Sequence, residues 1–294
     1  MTLGSLDIAR PPALAIVGMS SERWIGGLSF PEGPRWHEGR LWFSDFGDRV
    51  VRAVDEQGTI DEIVHVPERP SGLGWHPDGS LLVVSMNDRR VLRVQRGVAR
   101  LHADLAGFTE YACNDMVSDP SGNSYVGHMG FDLLARPLQP KAASLLSVRA
   151  DGTVTVAAPD LMFPNGVVLS ADGRTLIVAE TFGRRLTAFD VASDGTLARR
   201  RVFAELPGRS PDGICLDREA AVWVADASSK TCVRVAEGGE ITDTITTQQL
   251  CYACVLGGAD GRTLFLCTAE GYGPAAMAKH TGAIETARVA VPGA

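Results

Sequence analysis

A short run of residues recurs six times along the chain, and it constrains the fold more than any other feature. The copies read Pro31-Glu32-Gly33-Pro34, Pro70-Ser71-Gly72-Leu73, Cys113-Asn114-Asp115-Met116, Pro164-Asn165-Gly166-Val167, Pro211-Asp212-Gly213-Ile214 and Tyr252-Ala253-Cys254-Val255. A polar turn and a β-rich run follow each copy: LWFSD, LLVVS, NSYVG, TLIVAE, AAVWVAD and TLFLC. Positions 32, 71, 114, 165, 212 and 253 are spaced by 39, 43, 51, 47 and 41 residues. A unit of that length, with about four short strands and Gly-containing turns, is the size of one propeller blade. The repeat therefore predicts an all-β, six-bladed β-propeller with four-stranded blades, formed as a single domain by residues 13–294 after a tail at residues 1–12. A strand near Ala13 to Val17 is expected to pair with the last blade, beside the C-terminal run Ala283 to Val291. Closing the ring in this way removes the exposed sheet edges that invite aggregation.

The innermost strands of a propeller line a central channel, so one equivalent position per blade faces a common axis. That column reads Glu32, Ser71, Asn114, Asn165, Asp212 and Ala253. Two carboxylates and two carboxamides are thus predicted to converge from distant parts of the chain. Like charges in a channel of low dielectric repel, and each has its pKa raised unless a cation lies between them. The donors are all oxygen, which suits a hard divalent ion such as Ca²⁺, Mg²⁺ or Mn²⁺ better than structural Zn²⁺. They are too few to saturate such an ion, leaving positions open to water and a substrate. Asn-Gly and Asp-Gly are also ordinary turn formers. A turn, however, has no need of Glu32, and four carboxylate or carboxamide copies share one register.

The stretches FPEGPRWHEGRLWFSD, FPNGVVLSADGRTLIVAET, PDGICLDREAAVWVAD and CVLGGADGRTLFL resemble the gluconolactonase, regucalcin (senescence marker protein) and lactone-hydrolase family of six-bladed propellers. The resemblance extends from about Leu28 to Thr268. It implies one divalent metal (Ca, Mg, Mn or Zn) held by residues matching Glu32, Asn165 and Asp212. It also implies that the position of Asn114 contacts substrate or a metal-bound water. By the same resemblance the metal polarises a lactone carbonyl while Asp212 serves as general base, and no covalent nucleophile is needed.

The chain departs from that family where substrate is recognised. Sugar-lactone members usually carry Arg and Gly two residues before and after the second Asn, where Ala112 and Met116 stand here. Loss of a five-donor guanidinium disfavours a polyhydroxylated ligand, so the expected substrate is less polar than a sugar lactone. His128 takes the place of a small hydroxyl residue. With an intrinsic pKa near about 6.5 it is expected either to act as a second acid–base group or to bind substrate, in company with Tyr111 and Phe131. The longest spacing falls in this blade, and the extra segment FDLLARPLQPKAA reads as a loop that can cover the site.

Lys+Arg 28 against Asp+Glu 35 gives a net charge of −7 with no basic cluster, which argues against nucleic acid and anionic membranes as partners. No apolar stretch reaches the roughly 20 residues that span a bilayer. The N-terminal segment also lacks a signal-peptide core. The expectation is a cytoplasmic enzyme with a small-molecule substrate; the sequence sets no oligomeric state. Cysteines at 113, 215, 232, 251, 254 and 267 are then expected to be unpaired buried thiols. Two other readings remain open: a metal-dependent lyase, cyclase or isomerase acting on a carbonyl compound, and a non-enzymatic scaffold in which the cation is structural.

Overall fold

In the computed structural model the structure describes residues 19–294. The strand expected at Ala13 to Val17 and the tail at 1–12 lie outside the described residues. The six inner strands are Pro31–His37, Pro70–Trp75, Cys113–Ser118, Pro164–Leu169, Pro211–Leu216 and Leu250–Gly257. Each begins a four-stranded antiparallel sheet, and blade five gains a fifth, parallel strand from Met19–Ser20. Blade six takes three strands from the C-terminal end of the chain and its outermost strand, Glu22–Leu28, from the N-terminal side. That strand pairs antiparallel with Gly282–Arg288, from Glu22 opposite Thr286 to Leu28 opposite Gly282. The ring is closed by N- and C-terminal strands.

Blades are buried on both faces, which explains runs such as TLIVAE. In Thr175–Glu180, Leu176 and Val178 pack with Tyr125 and Leu145 of blade three. Their neighbours Ile177 and Ala179 pack with Val222 and Val224 of blade five. The two-residue period of a strand sends alternate side chains to opposite faces, so every blade cements two interfaces. Equivalent cores fill the remaining junctions around the ring.

The glycine after the axial residue has a packing reason rather than a turn reason. Asn165-Gly166 and Asp212-Gly213 lie inside the inner strands Pro164–Leu169 and Pro211–Leu216. A Cβ on Gly166 would stand 2.4 Å from the backbone oxygen of Asp212, and one on Gly213 would stand 2.5 Å from Cβ of Ala253. Neighbouring inner strands therefore approach too closely at the axis for any side chain at these positions. The repeat is a record of that close approach.

Candidate functional site

The axial polar residues are each the second residue of an inner strand and meet at one end of the channel. Asn114, Asn165 and Asp212 are buried, while Glu32 is half-buried against a cavity of about 250 Å³ that all four line. A hydrogen-bond relay fixes the amides. Ser71 Oγ donates to Asn114 Oδ1 at 3.1 Å, and Asn114 Nδ2 donates to Asn165 Oδ1 at 2.7 Å. Asn165 Nδ2 donates to Thr181 Oγ1 at 3.1 Å, and that hydroxyl donates to the Pro211 carbonyl at 2.8 Å. Ala253, the sixth axial residue, is buried in the junction between blades six and one.

The carboxylates are poorly compensated. Burial, then the charges of Asp212 and Asp115, push Glu32 well above the ordinary carboxylate range, against the Gly33 N–H donated to its Oε2 at 2.7 Å. Burial, then Asp115, likewise raise Asp212, against a hydrogen bond from Asn165. Arg35, the cation beside Glu32, is committed elsewhere. Its guanidinium pairs with Asp115 Oδ1 at 2.7 Å and also donates to the Met116 carbonyl. Asp115 occupies the position that is glycine in four other copies, a substitution visible in the aligned repeats.

Among the described residues no group of three His, Cys, Asp or Glu side chains forms a metal cluster, since the axial set supplies only two carboxylates and otherwise carboxamides and a hydroxyl. The donor chemistry nonetheless fits a hard divalent cation. Two desolvated anions repel each other beside neutral oxygen donors, with the nearby guanidinium already engaged.

The cavity walls are aromatic. Phe30, Phe46, Phe163, Phe182, Tyr252 and Tyr272 line it together with Met129 and Leu133. Phe30 lies 4.6 Å from Tyr252 and 5.5 Å from both Phe46 and Tyr272, ring centre to ring centre. These residues were not foreseen from sequence, although Phe30 and Phe163 directly precede the repeated Pro, and Phe46 and Met129 each follow the end of a second strand. Leu133 comes from the long segment before Ala143, and Leu138 of the same segment packs on the aromatic cluster.

Three expected site residues do not line the cavity. Phe131 stands one layer behind, with its ring 5.8 Å from Phe163 and 5.1 Å from Phe182. Tyr111 is half-buried and contributes its backbone N–H to Thr109 Oγ1 at 3.0 Å. His128 is buried with both ring nitrogens occupied. Nε2 accepts the Ser144 N–H at 2.9 Å, which leaves Nδ1–H to face Thr109 Oγ1 at 3.1 Å. The register explains this. His128 pairs with Cys113 as Asp45 pairs with Pro31, Glu180 with Pro164 and Asp226 with Pro211. In those blades the residue accepts backbone N–H groups of the loop entering the inner strand: Phe30 to Asp45, Met162 to Glu180, Ser210 to Asp226. His128 therefore stands in this loop-anchoring column rather than in the lining of the cavity, where it was expected to act as an acid–base or substrate-binding group. Met116 likewise lies in the core between blades two and three, away from the cavity. Of the two departures at 112 and 116, only Ala112 borders the aromatic cluster.

Burial lowers the His128 pKa from 6.5 to about 4, so the folded state holds the ring neutral. A depressed base contributes stability that is present above its ordinary pKa and lost as pH falls toward the folded value. His128→Gln should therefore lower the Tm at neutral pH and reduce the loss of stability between pH 6.5 and about 4. The pH–rate profile should not move. A displaced profile would return His128 to the chemistry.

A six-bladed ring with one oxygen-rich centre at a channel mouth defines the class. Residues 30–270 match the SMP-30/Gluconolactonase/LRE-like region, and the chain belongs to that family. It is 30% identical over 250 residues to pentonolactonase XacC of Haloferax volcanii, covering 82% of each protein. It is 26% identical over 260 residues to a 6-deoxy-6-sulfogluconolactonase of Pseudomonas putida, covering 86% of this chain and 87% of the relative. Among solved structures, a calcium-binding regucalcin from Agrobacterium tumefaciens superposes with a TM-score of 0.80 at 23% identity, covering 96% of this chain and 98% of the other. A gluconolactonase from Xanthomonas campestris gives 0.73 at 24%, covering 97% and 99%. These superpositions establish the shared fold.

Proposed function

We propose that the protein is a divalent-metal-dependent lactonase whose substrate is less polar than a sugar lactone. The observation that carries this reading is the pair of desolvated carboxylates, Glu32 and Asp212, opening onto a cavity walled by aromatic rings. The relatives named as lactonases support the reaction class. The absence of an arginine at Ala112 and the rings of Phe30, Phe163 and Tyr252 support a ligand with apolar surface.

Glu32, Asp212 and Asn165 would hold the ion, which when bound supplies Lewis-acid polarisation of the lactone carbonyl and a more acidic water. Asp212 is the group placed to accept the proton of the attacking water, and its burial makes it a stronger base than an exposed aspartate. Asn114 spends one amide hydrogen on Asn165 Oδ1, and the second remains to orient a substrate oxygen. The aromatic walls receive the apolar part of the substrate and exclude water, and Leu133 covers it from the inserted loop. Water adds across the ester bond and one hydroxy acid leaves.

The test is a pH-stat screen of sugar, aliphatic and aromatic lactones with Mn²⁺, Ca²⁺, Mg²⁺ or Zn²⁺ added to chelator-treated protein. Turnover should require an added ion and favour aliphatic or aromatic lactones. Full turnover without metal would remove the metal from the reading, and a preference for polyhydroxylated lactones would overturn the substrate assignment.

A further inference from the structure

A second cavity, of about 340 Å³, occupies the opposite stretch of the same inner strands, where Arg35, Val117, Val168, Leu216 and Val255 follow the axial residues. Two cysteines, Cys215 and Cys254, line it. They sit on the inner strands of blades five and six, Pro211–Leu216 and Leu250–Gly257, and their sulfurs are 3.7 Å apart. All six thiols of the chain are free and buried. Cys232 and Cys251 lie in the same junction core but do not line the cavity.

We propose that Cys215 and Cys254 form a redox-active dithiol that small hydroperoxides convert reversibly to a disulfide joining blades five and six. The sulfurs must close from 3.7 Å to the roughly 2.05 Å of a disulfide. Both cysteines line the cavity, through which a small hydroperoxide would reach them. Cys254 Sγ also faces the Gly213 carbonyl at 3.6 Å and the Trp223 carbonyl at 3.5 Å. Either sulfur can make the first attack, with the other resolving the sulfenic acid.

The chemistry balances without a further reagent. One of the two sulfurs attacks one peroxide oxygen, the O–O bond breaks, and hydroxide leaves with the proton of that thiol, giving a sulfenic acid. The other sulfur then attacks it, the S–O bond breaks, and the oxygen leaves as water with the proton of the second thiol. Two thiols and one hydrogen peroxide become one disulfide and two waters, with two electrons passing from sulfur to oxygen. Dithiothreitol reverses the bond by exchange.

The experiment is non-reducing peptide mapping by mass spectrometry of the full chain before and after millimolar hydrogen peroxide, with free thiols alkylated after unfolding. The expected result is loss of two hydrogens from the intact mass, one linked peptide containing Cys215 and Cys254, and its disappearance with dithiothreitol. Cys113→Ala should keep the link, and Cys254→Ala should abolish it. The wild-type map decides the matter even if a variant does not fold. Cys215 and Cys254 both remaining alkylatable, either one linked to Cys232 or Cys251, or oxidation to sulfonic acid would each overturn the proposal.

Discussion

Asp212→Asn should lower kcat by about 10²- to 10⁴-fold, the usual contribution of a positioned general base, while leaving the protein folded. Asparagine is isosteric, so the hydrogen bond from Asn165 and the strand Pro211–Leu216 have no steric reason to change. It also removes one of two mutually repelling carboxylates from a desolvated site. The Tm of chelator-treated protein should therefore stay level or rise. This split between lost turnover and preserved stability distinguishes an enzyme from a scaffold whose cation merely holds the blades. Turnover within a fewfold of wild type would show that Asp212 takes no proton. A large fall in Tm would show instead that its charge is needed by the fold.

The second large effect concerns pH and metal together. Burial and like charge raise Glu32 above 4.5 and Asp212 above 3.8 in the metal-free fold. The folded state then keeps protons that the unfolded chain releases. The stability contributed by these groups is complete below their ordinary pKa values and lost as pH rises through the raised ones. A bound divalent cation reverses the repulsion, and it binds better as the carboxylates ionise. The Tm difference between cation-saturated and chelated protein should be small near pH 5 and widen steadily toward pH 8, as differential scanning calorimetry would record. Other titrating groups affect both samples alike and cancel in the difference. A gap that is absent, or constant with pH, would mean that Glu32 and Asp212 do not share an ion.

The repeat made the ring and its axis legible because four of its six copies carry a glycine set by the same constraint, a close approach of inner strands around one channel. Gly33, Gly72, Gly166 and Gly213 record that approach directly, and Glu32, Asn114, Asn165 and Asp212 occupy the adjacent axial position. The walls were less legible because they come from two further registers with no polar signature. Phe30 and Phe163 precede the inner strand, whereas Phe46 and Met129 follow the second strand at equivalent positions. Their hydrophobicity looks like any core residue until the channel mouth is seen.

The position of His128 was hard to read for a related reason. A lone histidine beside a glycine-rich strand end carries chemical suggestion by itself, but its equivalents Asp45, Glu180 and Asp226 are all anchors for an incoming loop. Its place in that column shows only once the strands are paired. The ring-closing strand shows a different limit. Both segments of the N-terminal region have apolar content, and pairing with Gly282–Arg288 falls to Glu22–Leu28, whose alternating pattern is interrupted by Gly26 and Gly27.

Isothermal titration of chelator-treated protein with Ca²⁺ or Mn²⁺ asks whether the distant axial oxygens share one divalent cation. One ion per chain is expected for the wild type. Glu32→Gln should bind at least about tenfold more weakly, a loss of roughly 1.4 kcal/mol, with an unchanged circular dichroism spectrum. No binding by the wild type, or equal affinity in Glu32→Gln, would contradict a shared cation.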